Sequence, residues 1–328
     1  MKKQLAIRYE EIISVENLLG AWQEFLCGKR SKVDVQLFQL HLMDNILVLH
    51  QELKNLTYTH GGYKAFKISD PKPRDIHKAI VRDRLLHHAI YRKLYQFFDT
   101  VFIPDSYSCR LRKGTHLACN RFRAFASKVS RNDTRTCWVL KCDIRKFFAS
   151  IDHQVMYCIL DGYIPDEKIV WLLMRVIRSF SATKHDIGLP LGNLTSQLLV
   201  NIYMNEIDQF VKHRLKARYY IRYADDFVIM SDKKVWLEEI LPQMQSFLAD
   251  TLKLSMHPHK VSITTVASGV DFLGWVHFPD HRVLRRATRR RFIRGVVSNP
   301  SVAAIVSYRG LLSHGNTHTL HEKFLIER

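Results

Sequence analysis

Apolar positions recur at helical spacing over residues 11–56, where Ile12, Ile13, Leu18, Leu19, Trp22 and Phe25 are followed by Leu37, Leu40, Leu47 and Leu53. Gly61-Gly62 and Pro71-Lys72-Pro73 bracket a short strand-like run at 63–69, and helical spacing returns over 76–98. After the loop containing Pro104, a helix is expected at 115–130. The apolar run Cys137-Trp138-Val139-Leu140 then predicts a buried strand entering Asp143. Residues 153–181 read as helix, Gly188-Leu189-Pro190-Leu191-Gly192 as a turn, and 193–216 as helix again. Two β-rich runs, 218–221 and 227–230, meet at Tyr223-Ala224-Asp225-Asp226 as the arms of a hairpin would. A helix at 233–252, strands at 261–265 and 270–277, and a strongly basic C-terminal stretch complete the pattern.

Helices arranged around a central antiparallel sheet predict an α+β fold. No repeat, low-complexity tract or long Gly/Ser linker interrupts it. The 328 residues are 47% apolar, enough for a sizeable core, so disorder is excluded.

Charge narrows the choice of partner. Fifty Lys and Arg against 31 Asp and Glu give a net charge of +19, interleaved with 13 Tyr, 18 Phe and 5 Trp. Such a surface favours a polyanion, because each neutralised phosphate releases counterions; nucleic acid is the first choice. An anionic membrane surface fits less well, since no basic amphipathic helix stands out. No stretch reaches the roughly 18 apolar residues of a membrane span. Met1-Lys2-Lys3-Gln4 leads into charged sequence rather than a signal core, so a cytoplasmic protein with no membrane partner is expected. The six cysteines form no C-x-x-C pair, which predicts reduced, mostly buried thiols and no zinc knuckle. His257-Pro258-His259 lacks a supporting ligand cluster and reads as surface.

Two acidic sites leave apolar strands directly: Asp143, and Asp225-Asp226 between β-rich arms. Carboxylates are costly to bury there unless a cation pairs with them. An isolated Asp-Asp pair is ordinarily a solvated turn, but this pair lies in Tyr-Ala-Asp-Asp between Tyr219-Tyr220-Ile221-Arg222 and Phe227-Val228-Ile229-Met230. That pattern resembles the catalytic hairpin of reverse transcriptases.

The resemblance extends over about residues 70–320. It implies a right-hand polymerase: an N-terminal helical segment (1–60), fingers (61–135), a palm of antiparallel sheet plus helices (136–280, with a finger-like insertion near 153–190) and a short, basic, helical thumb (281–328). It implies two Mg2+ ions on Asp143, Asp225 and Asp226, one activating the attacking 3′-hydroxyl and one holding the triphosphate. Phe148, five residues after Asp143 in Asp-Ile-Arg-Lys-Phe-Phe, is similar to the aromatic gate that excludes a ribose 2′-hydroxyl. Lys72, Arg74 and Arg110 lie in segments similar to those that clamp the incoming nucleotide. Lys260, in His257-Pro258-His259-Lys260, resembles the lysine able to protonate pyrophosphate. Phe272, Leu273 and Gly274, in Val-Asp-Phe-Leu-Gly-Trp, look like the primer grip, with the glycine allowing close approach of the primer backbone. Arg285, Arg286, Arg289 and Arg290 would contact the nucleic-acid backbone.

Thr195-Ser196-Gln197 ends the passage that discriminates most between subfamilies. Ser196-Gln197, where many reverse transcriptases carry Gln-Gly, resembles the enzymes of diversity-generating retroelements, as does Ser307–His318. That resemblance implies synthesis that is error-prone at template adenines, from a template RNA with a DNA or RNA primer and dNTPs, assisted by a small basic ring-forming accessory protein. Ala224, where those enzymes usually carry Met, is closer to group II intron, retron and anti-phage defence enzymes, which form the alternative. With little sequence left after the thumb, no RNase H, integrase or endonuclease domain is expected. A non-enzymatic RNA-binding module would explain the charge but not the acidic strand ends.

Overall fold

A computed structural model describes residues 3–69, 73–182, 185–298 and 301–321. The N-terminal helical pattern resolves into short helices α1 (Tyr9–Ile13), α2 (Val15–Phe25), α3 (Val33–Leu40) and α4 (Leu42–Lys54). Ser14 marks the first break, its hydroxyl accepting from the Asn17 amide to cap α2. β1 (Tyr63–Ile68) and β2 (Arg74–Ala79) pair antiparallel from Tyr63↔Ala79 to Ile68↔Arg74, and α5 (Val81–Val101) follows. Helical spacing places the start of that helix at 76. Residues 76–79 instead complete the ladder with β1, whose amides and carbonyls would otherwise lack partners.

The chain continues through α6 (Thr115–Ser130), β3 (Trp138–Asp143), α7 (His153–Asp161), α8 (Glu167–Arg178) and α9 (Leu194–Gln209). The single helix expected at 153–181 is divided before Asp166, whose carboxylate accepts from the Lys168 and Ile169 amides; Pro165 cannot donate to a continuing helix. Beyond α9 a wider helical turn, Phe210–Arg214, precedes β4 (Tyr219–Tyr223) and β5 (Asp226–Ser231). Then come α10 (Lys234–Leu252), β6 (Ser262–Thr265), β7 (Val270–Phe272), β8 (Trp275–His277), β9 (Arg282–Leu284), α11 (Arg286–Ser298), α12 (Val302–Leu312) and α13 (His318–His321).

These elements form two compact units. The first comprises 1–104, 144–209 and 246–255. In it α2 and α9 pack on α5, where Leu86, Ile90, Leu94 and Phe98 are buried along with Trp22 and Phe25. Each such side chain contributes about 2 kcal/mol by leaving water. A polar network is buried here too. Asp83 of α5 accepts from Tyr58 Oη (2.9 Å) and the Gly61 amide (2.7 Å), with His60 Nδ1 at 3.4 Å and Arg82 Nε at 3.5 Å. The His60 ring stacks on Tyr63 and on His87, with centroids 4.9 and 5.3 Å away.

The second unit comprises 105–143, 210–245 and 256–328. Its main sheet is antiparallel in the order β4-β5-β3-β6. α6 lies on β4 and β5, burying Phe122, Phe125 and Val129 in one core with Ile221, Val228 and Met230. All four residues from Phe227 to Met230 are buried, which explains a continuous apolar run where a half-exposed strand would alternate.

The run expected as one strand at 270–277 is a hairpin. Leu273 and Gly274, at φ +52° and +87°, form the two-residue turn between β7 and β8, whose ladder continues to β9. Trp275 and Leu284 share a core with Phe292, Val296 and Leu312 of the C-terminal helices, and Gly315 lies so close to the Trp275 ring that no Cβ fits. Cys119, Cys137 and Cys142 are buried while Cys27, Cys109 and Cys158 are exposed; all are free thiols, so burial holds for half of them. No helix among the described residues is long and apolar enough to cross a membrane.

Candidate active site

The acidic residues meet at one end of the main sheet because of strand register. β3 and β5 pair from Trp138↔Ser231 to Asp143↔Asp226, and β4 and β5 end at Tyr223↔Asp226. The ladder therefore brings Asp143 opposite Asp226, with Asp225 in the adjoining two-residue turn.

That turn is held from behind. Ala224 adopts φ +54°, a left-handed conformation that costs a residue with a Cβ about 1 kcal/mol. Arg222 is only 1% exposed. Its guanidinium donates to Ala224 O (3.2 Å) and to Ser106 Oγ (3.1 Å), while its backbone exchanges hydrogen bonds with Asp105 and Tyr107. Arg110 donates to Ser106 O (3.0 Å) in the same segment.

Burial and three neighbouring carboxylates, Asp143, Asp225 and Asp271, push the Asp226 carboxyl up to about 7, against the opposing pull of Lys141. Lys141 Nζ is 4.0 Å from Asp226 Oδ2 and also donates to Asp271 O. Asp226 Oδ1 is buried with no hydrogen-bond partner. Asp143 is held differently, by Lys260 Nζ at 2.9 and 3.0 Å from its two oxygens. The turn carrying Lys260 is fixed to the strand end, since the His257 amide donates to Asp143 O (2.7 Å) and the Lys260 amide to His257 O (3.1 Å).

This donor set fits a hard divalent cation, with carboxylate oxygens at a strand junction, one of them orphaned, and mutual repulsion that a cation would relieve. Among the described residues no three His, Cys, Asp or Glu side chains converge into a ready-made metal cage. Magnesium held here would therefore complete its shell with water and substrate oxygens, as it ordinarily does.

The other expected residues are distributed as follows. Phe148 lies in the short 3-10 turn Phe147–Ser150 and is half-buried, whereas Phe147 is the buried member of the pair. Arg74 opens β2 and is exposed; Lys72 falls outside the described residues. β2 is tied to the start of α9, the His77 amide donating to Leu191 O (3.0 Å) and Asn193 Nδ2 to His77 O (3.0 Å). Ser196 in that first turn is buried and Gln197 half-buried. Phe272 is fully buried in the core. A Cβ on Gly274 would meet only ordinary contact, Thr288 Oγ1 at 3.5 Å, so its positive φ is what demands glycine. Arg285 turns toward Asp271 Oδ2 (3.5 Å), while Arg286, Arg289 and Arg290 are exposed on α11.

Three participants escaped the sequence reading. Lys141 was legible as a cation inside an apolar strand, and Asp271 as an acid between Val270 and Phe272. Nothing in the sequence marked Arg222 as buried.

Comparison with known proteins gives the chain relatives. Residues 69–277 match the family model described as "Reverse transcriptase (RNA-dependent DNA polymerase)". Protein YkfC of Escherichia coli K12 is 26% identical over 313 residues, covering 83% of this chain and 80% of YkfC. The group II intron-encoded protein LtrA of Lactococcus lactis is 24% identical over 318 residues, but the chain spans only 51% of its length and 76% of this chain is covered. The solved structure of apo telomerase from Candida tropicalis, truncated from its C-terminal domain, superposes with a TM-score of 0.51 at 12% identity, covering 75% of this chain and 60% of that one. At that identity the likeness concerns the fold alone.

Proposed function

The chain belongs to the reverse transcriptase (RNA-dependent DNA polymerase) family, and from that premise we propose that Asp143, Asp225 and Asp226 form its polymerase site. The observation that carries this reading is the register that pairs Asp143 with Asp226 while leaving Asp226 Oδ1 without a partner. Two magnesium ions bound there would supply activation of the primer 3′-hydroxyl and stabilisation of the leaving oxygens.

The chain's own groups have distinct tasks. The β3–β5 ladder fixes the spacing of Asp143 and Asp226, and Arg222 keeps the turn bearing Asp225 in its left-handed form. Lys260, within hydrogen-bond distance of Asp143, is placed to offer a proton to the departing pyrophosphate. Half-exposed Phe148 would bar a 2′-hydroxyl, and Lys72, Arg74 and Arg110 would neutralise the triphosphate. The turn at Leu273-Gly274 would meet the primer, and Arg286, Arg289 and Arg290 the duplex backbone.

Within the family, Ser196 and Gln197 support a diversity-generating retroelement enzyme that misincorporates at template adenines, working with a small basic ring-forming partner. Loss of about 1.4 kcal/mol of discrimination would suffice for a tenfold drop in fidelity. The similarity to the group II intron-encoded protein LtrA, together with Ala224, favours a second reading as an intron-like enzyme.

Incorporation of dNTPs on a primed RNA template with magnesium, scored for errors opposite each base, tests both. Synthesis lost in Asp225→Asn with errors concentrated at adenines supports the first reading; faithful synthesis supports the second; synthesis that survives Asp225→Asn rejects the site. Phe148→Ala is expected to raise ribonucleotide use at least about tenfold, and unchanged sugar selectivity removes Phe148 from the gate.

A further inference from the structure

The open end of the catalytic hairpin, where β4 begins and β5 ends, carries a cleft of about 430 Å³ that the polymerase site does not use. Lys128, Arg131, Lys216, Arg218 and Lys233 line it, and all five are exposed. Among the described residues none of the five lies within ion-pairing distance of a carboxylate. The one acid lining the cleft, Asp232, faces Arg135 at 3.8 Å. Cations often collect at helix ends to offset the helix dipole, which accounts for Lys128 and Arg131 at the end of α6. It does not account for Arg218 and Lys233, which flank the hairpin strands.

Two aromatic side chains share the cleft. Tyr219 and Trp236 are half-buried, and Tyr219 is braced edge-on by Phe125 at 5.2 Å with the Arg218 guanidinium 5.4 Å from its ring centre. Cations beside partly open aromatic rings are the components of a site for unpaired nucleotides: phosphates meet the cations and bases stack on the rings. A duplex keeps its bases stacked inside, and an acidic peptide offers the rings nothing comparable to stack on.

From Asp226 to Ser231 the strand spans five steps of about 3.3 Å, so the cleft lies about 17 Å from the carboxylates. That exceeds the screening length of about 8 Å at physiological salt, so these cations do not serve the polymerase chemistry.

We propose that this cleft binds a single-stranded segment of RNA lying outside the template–primer duplex. The proposal rests on the reverse transcriptase reading for the identity of the RNA, and its test separates the two. The full chain is compared with Arg131→Glu/Lys216→Glu/Lys233→Glu and with Trp236→Ala, thermal midpoints confirming that each folds. Binding of a short unstructured RNA is followed as a function of salt, ultraviolet crosslinks are mapped, and extension of a primed duplex with a minimal overhang is measured.

The expected result is a salt slope lower by about 2 in the triple variant, at about 0.7 per phosphate contact. A crosslink to the peptide bearing Trp236 should appear in the unmodified protein and vanish in Trp236→Ala, with short-duplex extension unchanged. An unaltered slope with crosslinks elsewhere overturns the proposal. So does an equal loss of short-duplex extension, which would put the cations in the synthesis cleft, or tighter binding of polyglutamate than of RNA, which would point to an acidic protein partner. If no protein extends the primer, the polymerase reading fails, and the slope and crosslinks still decide the cleft.

Discussion

Two carboxylates, one in each unit, are withdrawn from water in opposite ways. Asp83 is fully buried and each of its oxygens accepts a hydrogen bond, one from the Tyr58 phenol and one from the Gly61 amide, with an imidazole and a guanidinium within 3.5 Å. Asp226 retains 22% exposure, yet one oxygen has no partner, its nearest cation is 4.0 Å away, and three acids crowd it. A satisfied buried charge holds structure together; an unsatisfied one stores a demand that a ligand can meet. The difference separates an acid that the fold satisfies by itself from one that it leaves open to a ligand.

Exchanging the two acids tests that difference most severely. Asp226→Asn is expected to cut primer extension by at least about 10³-fold, roughly 4 kcal/mol of transition-state stabilisation, with the thermal midpoint unchanged or raised. Asp83→Asn should do the reverse, lowering unfolding free energy by about 3 kcal/mol while the folded fraction keeps its specific activity. An Asp226→Asn protein that melts early, or a stable and inactive Asp83→Asn protein, would break the comparison.

Lys260 offers a finer cut. It is 43% exposed, so its ion pair with Asp143 adds less than about 1 kcal/mol to stability. Lys260→Gln should nonetheless slow turnover by about 10²-fold while the thermal midpoint changes little. A large loss of stability with turnover intact would make Lys260 a structural counterpart of Arg82.

The smallest expected effect concerns buried histidines, which the fold keeps neutral. Burial pushes His277 down to about 4 from an ordinary 6.5, and His87 down to about 3. The unfolded chain binds a proton below about 6.5 that the folded chain refuses, so stability falls as pH drops from there toward about 4. Urea midpoints measured across that window should fall less steeply in His277→Gln than in the unmodified protein; identical slopes would show that His277 takes no part.

The carboxylate end of the sheet was legible because β3 and β5 are buried on both faces, and an acid at the end of such a run stands out. The helix at 115–130 was equally plain, since α6 places one apolar face on the sheet. Elements decided by distant partners were less so. Residues 76–79 carry helical spacing but fold as a strand because β1 needs a neighbour. Leu273 enters a left-handed turn that its side chain disfavours, so its run reads as continuous strand, and Gly274 reads as room for a primer backbone rather than as a turn. Arg222 reads as an ordinary cation flanking a strand, since its guanidinium is held by Ser106, 116 residues away, and no local pattern encodes that contact.

That guanidinium also carries a consequence for the order of folding. Arg222 and Ser106 are 116 residues apart in sequence, so the contact that anchors this guanidinium from outside the hairpin closes one of the long loops in the chain. Closure entropy rises with the logarithm of loop length, and such contacts are rewarded only after nearer ones have formed. The hairpin arms can zip locally, with Arg222 reaching Ala224 O inside the hairpin, but the guanidinium gains its outer anchor at Ser106 only when a segment made much earlier in synthesis docks beside it. Full anchoring of the site is thus timed by topology, and a partly folded chain would hold its acids on a turn whose guanidinium still lacks Ser106.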